Sequence, residues 1–92
     1  MENKALVKMK EQAITHNKKI WYIAKSPHDI DGILSHLGMK EYRKQFEYVS
    51  SPDKMRGLRH PNVLILPNWW MNGRYKNMEQ ALIDVQANIV KI

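Results

Sequence analysis

The sequence contains no cysteine among its 92 residues, and this absence excludes several kinds of site. Disulfides, thiolate nucleophiles and zinc sites with sulfur ligands all require that residue. The sequence also contains no run of about 18 apolar residues, which is the length that a membrane-spanning helix needs. Its first ten residues mix charged with apolar side chains, unlike a secretory signal. We therefore expect a cytoplasmic protein that does not contact a membrane.

Glycine is also scarce, with four residues in the chain. Neither the glycine pattern of dinucleotide-binding loops nor that of the phosphate-binding P-loop occurs. The hydrophobic share of 43% is ordinary for a folded chain. A chain of this length has room for one modest core, so we expect a single domain over residues 1–92.

Apolar spacing predicts helices and strands in alternation, in the order α-β-α-β-α-β-α. The predicted strands are 20–24, 46–49 and 63–66, and the predicted helices are 3–16, 29–37, a short one from Pro52, and one from Met78 to the end of the chain. Gly38 is placed to end the second helix. Ser51 is placed to cap the third, and Asn77 with Gln80 resembles a capping box for the last.

Strands separated by helices predict a parallel sheet with helices on both faces. We expect a small three-layer Rossmann-like α/β domain with a three-stranded sheet in the order 2-1-3. In that order the second strand lies on one side of strand 20–24 and the third on the other, so the direction in which strands are added reverses between strands 20–24 and 63–66. Open α/β sheets place their ligands in the crevice at such a point, at the carboxyl ends of the strands.

Two adjacent tryptophans, Trp69 and Trp70, follow the third strand in a loop rich in asparagine and glycine. We expect one ring to be buried and the other exposed, since a large apolar surface in a loop usually has something to cover it. Arg56, Arg59 and Arg74 lie on either side of the pair in sequence. Basic groups beside exposed aromatic rings are what phosphate contact and base stacking require. The alternative is that one ring is core and the arginines are solvated.

The net charge of +6 is concentrated in two blocks of the chain. Residues 1–25 carry six Lys against two Glu, and residues 40–76 carry eight Lys and Arg against three acidic residues. The intervening and final segments are acidic. Such blocks fit an anionic partner, and they fit equally well a solvated surface that keeps a small protein soluble.

The loops after the first two strands contain candidate phosphate ligands, namely Ser26, His28 and Ser50. Backbone N–H groups at the start of the second helix could join them. Alternatively, Ser26 caps that helix, and Asp29 beside it would oppose an anion. Glu79 is placed either to act as a general base or to stabilise the helix dipole. The four histidines show no spacing typical of a metal site, so we expect no metal and no cofactor.

The run EYVSSPDKMRGLR over 47–59, followed by VLIL at 63–66 and by Trp69-Trp70, resembles small bacteriophage-encoded α/β proteins. That resemblance implies an accessory protein in the cytoplasm of an infected bacterium. The segment from Leu64 through Ala81 is similar to nucleotide-binding proteins of the nucleoside deoxyribosyltransferase type. In that family a strand, a loop and a Glu at a helix start frame a nucleotide. This chain has Lys25-Ser26-Pro27 where that family has a glycine-rich loop.

Three functions follow from these patterns. The first is a protein that binds a phosphate-bearing ligand, either a nucleotide or a nucleic acid, without catalysis. The second is an interaction protein that binds and inhibits a host protein through Trp69, Trp70 and the basic block, since Trp and Arg dominate such contacts. The third is a nucleotide-cleaving enzyme that uses Glu79 as its acid or base.

Overall fold

The computed structural model describes residues 4–16 and 18–92. In this part of the chain the helices and strands are α1 (Lys4–His16), β1 (Ile20–Ile23), α2 (Asp29–Leu37), β2 (Phe46–Tyr48), β3 (Asn62–Ile65), α3 (Met78–Asp84) and β4 (Asn88–Lys91). Short 3₁₀ segments occupy Lys40–Gln45, Pro52–Met55, Trp69–Met71 and Gly73–Tyr75. Within the same residues, no helix combines the length and the apolar character needed to cross a membrane.

All four strands are parallel and lie in the order β2-β1-β3-β4. Ile20 at the start of β1 pairs with Phe46 on one side and with Asn62 on the other. The predicted order 2-1-3 is therefore confirmed. The prediction of only three strands is wrong, because β4 pairs with β3 and extends the sheet by one strand.

The sheet separates two apolar clusters, because successive side chains of a strand point to opposite faces. Tyr22 and Leu64 face α1 and α2, whereas Ile23 and Ile65 face α3 and the 3₁₀ segment Pro52–Met55. Helices thus cover both faces, which leaves the two ends of the strands and the two outer strands as the places where the sheet is open.

Helix α2 forms where the apolar spacing predicts it. Ile30 and Leu34 are buried, and Asp29 and Asp31 lie in the first turn, where the helix dipole favours negative charge. The helix ends at Gly38, whose φ of 69° is left-handed, and the N–H of the next residue donates to the Leu34 carbonyl. Only glycine adopts this conformation without steric cost, which explains its position.

The prediction that the last helix runs to the end of the chain is wrong. Helix α3 ends at Asp84, and Gln86 has a left-handed φ of 52° that turns the chain back toward the sheet. The spacing of Val85 and Ile89 matches a helical face, which is why the pattern misleads. Ile89 instead pairs with β3, and β-branched residues suit a strand better than a helix.

The predicted capping box at the start of α3 is not formed. Asn77 lies at the position before the helix, but its φ is 66° and its side chain makes no capping hydrogen bond. The Gln80 amide donates to Asp84 Oδ1 at 2.9 Å instead of returning to the start of the helix. Ser51 does precede the segment Pro52–Met55 as predicted, yet its side chain makes no capping hydrogen bond either.

Candidate binding site at the carboxyl edge of the sheet

The chain after β3 folds across the carboxyl edge of the sheet instead of leaving a crevice there. It forms the two 3₁₀ segments Trp69–Met71 and Gly73–Tyr75, separated by Asn72. Asn68, with φ 61°, and Asn77, with φ 66°, bound this loop in left-handed conformations. Asparagine tolerates that region better than most residues, so the sequence supplies a suitable residue at both bends.

Four aromatic rings from different segments meet under this loop. The ring centroids of Tyr22 and Tyr48 are 5.5 Å apart, those of Tyr48 and Tyr75 are 6.4 Å apart, and those of Tyr75 and Trp69 are 6.2 Å apart. These are favourable separations for tilted and edge-to-face rings. The rings come from β1, β2 and the loop after β3. The aromatic row, as we call Tyr22, Tyr48, Tyr75 and Trp69, therefore occupies the place where open α/β sheets hold a ligand.

Hydrogen bonds fix the loop to its neighbours. The Asn72 amide donates to the Tyr48 hydroxyl at 2.8 Å and to the Lys25 carbonyl at 3.2 Å. The Ala24 N–H donates to the Tyr75 hydroxyl at 3.3 Å, and the Tyr22 hydroxyl donates to the Pro27 carbonyl at 2.8 Å. These polar groups at the edge therefore form hydrogen bonds within the chain, and those bonds join the loop after β1 to the loop after β3.

The same environment changes the acidity of two tyrosines. Burial raises the pKa of Tyr75 well above its usual value of 10.0, and its hydrogen bond with Tyr48 raises it further. Burial also raises the pKa of Tyr22, although the Arg43 guanidinium opposes the change. Both hydroxyls therefore stay protonated around neutral pH, where they serve as fixed hydrogen-bonding groups and not as bases.

The loop between β1 and α2 is closed by a carboxylate. Asp29 Oδ1 accepts from the Ser26 hydroxyl at 3.1 Å, and Asp29 Oδ2 accepts from the Ser26 N–H at 3.3 Å. Ser26 does not cap α2, because the residue before that helix is His28, which is exposed and makes no side-chain capping bond. A negative group thus already bonds to the serine that was a candidate for phosphate, and it would repel a phosphate there.

The remaining candidates lie in two places. Ser50 is half-buried just after β2, at the carboxyl edge. Arg56 and Arg59 are exposed along a groove of about 630 Å³ between the segment Pro52–Met55 and α3. Arg56 Nε lies 3.6 Å from Asp53 Oδ1, and both side chains are largely solvated, so this ion pair contributes little. The two arginines therefore lie along a groove whose lining includes neither tryptophan.

The two tryptophans differ in exposure. Trp69 is half-buried and packs against the cluster that includes Tyr75, whereas Trp70 is 65% exposed. Met71 next to it is 58% exposed. The expectation of one buried and one exposed ring is met in part, because Trp69 is half-buried and not fully buried.

Exposed basic residues lie in the same loop as Trp70 and in the loop next to it. Arg74 and Lys76 follow in the same loop, and Lys25 lies on the neighbouring loop that Asn72 holds. The N–H of Arg74 donates to Asn72 Oδ1 at 3.0 Å, which fixes the backbone of that arginine. We call this surface the carboxyl-edge patch; its members are Lys25, Trp70, Met71, Arg74 and Lys76.

Glu79 is exposed in the first turn of α3, where its charge suits the helix dipole. It lines a shallow groove with Trp69 and Ile83. No second carboxylate lines that groove beside it. Across residues 4–16 and 18–92, no group of three His, Asp or Glu side chains is arranged to hold a metal ion.

Sequence reasoning missed Tyr48, Asn72 and Tyr75, which hold the edge together, and it missed Lys25 as a member of the patch. The available signal was weak. Tyr48 ends a strand and Tyr75 follows an Asn-Gly-Arg turn, so both could have been placed at the carboxyl edge, but their contact depends on the register of separate strands.

A comparison of this chain with protein-family models, with characterised proteins and with solved structures found no match. The site is therefore interpreted from its own geometry, and the two resemblances drawn from the sequence stay predictions.

Proposed function

We propose that the protein binds a phosphate-bearing ligand without altering it, and that the ligand is single-stranded nucleic acid. The observation that carries this proposal is the carboxyl-edge patch, in which the exposed ring of Trp70 and three exposed basic residues belong to two loops that a hydrogen bond joins. Proteins that bind single strands combine stacking on aromatic rings with basic groups for the backbone. The net charge of +6 adds a favourable long-range attraction.

A nucleic acid fits this edge better than a free nucleotide does. A mononucleotide would need the crevice between β1 and β3, and the aromatic row with Asn72 fills that space. At the β1–α2 loop a phosphate would also meet the Asp29 carboxylate, which bonds to Ser26. An extended strand needs neither position, because it can stack a base on Trp70 and place phosphates beside Lys25 and Arg74 from outside.

The test is a titration of the protein with labelled single-stranded and double-stranded oligonucleotides at several salt concentrations. We expect affinity for single strands to fall with salt, and to fall by roughly five- to a hundredfold in Trp70→Ala, which corresponds to about 1–3 kcal/mol for one stacked base. Trp70→Phe should retain most of the affinity, since it keeps a ring. Absence of binding at low salt would remove nucleic acid as the ligand.

A matched pair of double variants separates the patch from general charge. Lys25→Ala with Arg74→Ala removes two charges from the patch. Lys40→Ala with Lys44→Ala removes two exposed charges from the 3₁₀ segment Lys40–Gln45. We expect the first pair to lower the salt slope by about two and the second to change it less. Equal effects of the two pairs would show that only overall charge matters.

The second candidate function is binding of a host protein. The exposure of both Trp70 and Met71 favours it, because adjacent exposed apolar side chains within a basic surface are typical of contact sites. If oligonucleotides do not bind, the same Trp70→Ala variant can be compared with the unmodified protein for capture of bacterial partners. A partner retained by both proteins would contradict a role for this ring.

The third candidate is a nucleotide-cleaving enzyme with Glu79 as its acid or base. Exposure of Glu79 in the first turn of α3 favours the dipole role, since nothing around the carboxylate desolvates it. Release of base or phosphate from a nucleotide, lost in Glu79→Gln, would establish the enzyme in place of the binding protein.

The origin in a bacteriophage and the cytoplasm of an infected bacterium also stay proposals, supported by the resemblance of residues 47–70 alone. A Rossmann-like relationship is supported by the parallel order β2-β1-β3-β4 and by helices on both faces of the sheet.

A further inference from the structure

The last strand, β4, lies at the outer edge of the sheet, and half of its backbone groups point away from β3. The N–H groups of Asn88 and Ile92 donate to the Pro61 and Ile65 carbonyls at 2.8 Å and 3.0 Å. In a parallel ladder, alternate residues bond to the same neighbour, so the N–H and C=O groups of Ile89 and Lys91 face outward. In the part of the chain that the structure describes, no further strand lies beyond β4.

Two grooves run along this open edge, one on each face of the sheet. The groove toward α1 has about 400 Å³ and includes Lys8 and Met9. The groove toward α3 has about 340 Å³ and includes Leu82 and Ile83. Ile89 borders both. Side chains of an added strand would alternate between the two faces and so enter the two grooves in turn.

Two of the exposed side chains along this edge are large and apolar. Ile89 is 43% exposed and Ile92 is 46% exposed. Natural proteins usually protect an open edge with charges, bulges or a covering element, because unpaired strands recruit others. Here Lys91 is the only charged residue within β4. An edge of this kind is suited to pairing with a further strand.

We propose that this edge binds a second copy of the same chain, with the two β4 strands antiparallel and the two sheets joined into one of eight strands. In the favoured register Val90 lies opposite Val90 of the second copy, and Ile89 lies opposite Lys91 of the second copy. The outward groups of both residues are then paired, which gives four backbone hydrogen bonds across a two-fold axis.

The neighbouring two-fold registers are less favourable. Centring the pair on Ile89 would set Lys91 opposite Ala87, whose N–H already donates to the Leu82 carbonyl at 3.0 Å. Centring it on Lys91 would oppose two like charges, which is destabilising. The register centred on Val90 instead lays the Lys91 stem along Ile89 of the second copy while the ammonium stays in water.

This register also covers the exposed apolar residues. Ile92 comes to lie opposite Asn88 of the second copy, on the face of Val90, where the groove with Lys8 and Met9 can take its side chain. A second copy satisfies the edge completely because the strand is complementary to itself, so no outside sequence has to be supplied. The carboxyl-edge patch lies at the end of the strands and remains free in the pair.

The first experiment is sedimentation equilibrium of the intact protein from about 10 μM to about 1 mM. We expect a dimer that dissociates on dilution. In Lys91→Pro the outward N–H is lost, but no bond to β3 is lost, since proline is tolerated where an edge residue faces solvent. Lys91→Ala removes the same charge and keeps the N–H. We expect the proline variant to dimerise roughly ten- to a hundredfold more weakly than the alanine variant, as two hydrogen bonds per dimer disappear.

The second experiment needs no variant, so it remains decisive if the proline substitution unfolds the chain. Amide hydrogen exchange of the unmodified protein is measured at low and high concentration. We expect the Ile89 and Lys91 amides to become protected only at high concentration, whereas those of Asn88 and Val90 are protected throughout. A protein that is monomeric at about 1 mM, a dimer that persists in Lys91→Pro, or a dimer without protection at these two amides would each overturn the proposal.

Discussion

The carboxyl edge of the sheet and the open side of β4 finish the same sheet in opposite ways. At the carboxyl edge, a loop folds back so that Tyr75 and Asn72 satisfy groups from β1 and β2. Along β4, by contrast, the outward groups of Ile89 and Lys91 have no neighbouring strand in the described residues. At the carboxyl edge, side chains of the same chain form these hydrogen bonds. Along β4, the outward N–H and C=O groups are available to a further strand.

The difference decides what kind of partner each boundary can accept. A ligand at the carboxyl edge must bind outside the aromatic row, so it meets side chains such as Trp70 and Arg74 and not the interior of a crevice. A partner at β4 meets backbone groups, so it must itself be extended. We therefore expect stability to depend strongly on the buried side chains of the carboxyl edge and weakly on the exposed side chains of β4, which the following variants test.

The largest effect is expected from Tyr75→Ala. Tyr75 is only 4% exposed and contacts both Tyr48 and Trp69, so its truncation opens a cavity beneath the loop. We expect a loss of about 3–5 kcal/mol in the free energy of unfolding, measured by urea denaturation. Domains of this size are typically stable by about 5–14 kcal/mol, so this loss is a large part of the stability.

The control for that variant lies at the other boundary. Ile89→Ala removes a partly exposed side chain from β4, and it should cost about 1 kcal/mol or less when measured in dilute solution. Similar losses in both variants would contradict the contrast between a completed edge and an open one.

An intermediate effect is expected at Trp69, and almost none at its neighbour Trp70. Trp69→Ala removes a half-buried ring that packs on Tyr75, and we expect it to cost about 2–3 kcal/mol. Trp70→Ala should change stability by about 0.5 kcal/mol or less, because that ring is 65% exposed. Thermal and urea unfolding measure both. If both variants unfold, the two rings belong to the core and the carboxyl-edge patch loses its central residue.

Local patterns in the sequence predict much of this fold. Helix α2 is evident because its apolar spacing and the glycine at its end agree with each other, and both follow from the geometry of one helix. The three predicted strands are likewise short runs of apolar or alternating residues. The segment after Asp84 is predicted wrongly because the bend is made by Gln86, a residue that carries no usual stop signal, and because Ile89 continues the helical spacing.

The position of the candidate site follows from the sequence, whereas its form does not. Parallel strands with crossovers bring the loops after β1, β2 and β3 to one edge, which follows from element order alone. That the crevice is filled depends on Tyr22, Tyr48 and Tyr75, which are far apart in sequence and meet only through strand register. The placement of Arg56 and Arg59 along a groove that neither tryptophan lines also depends on tertiary packing, since sequence distance says nothing about which face a loop covers.

A smaller effect than that of Tyr75→Ala is expected from Tyr75→Phe, which retains the ring and removes one hydroxyl. The buried Ala24 N–H loses its acceptor, so we expect a cost of about 1–2 kcal/mol near pH 8.

The same variant should also change how stability depends on pH. In the unmodified protein the pKa of Tyr75 is raised by burial, so the unfolded chain loses this proton above its ordinary pKa of 10.0 while the folded chain keeps it. Stability from this group is therefore complete below pH 10 and declines above it. In the phenylalanine variant Tyr75 no longer titrates. The raised pKa of Tyr22 still lowers the stability of both proteins above pH 10. Urea midpoints at about pH 8 and about pH 11 should show the difference between the two proteins narrowing at the higher pH. A difference that stays constant would mean that the Tyr75 hydroxyl ionises equally easily in both states, and thus that the carboxyl edge is open to water.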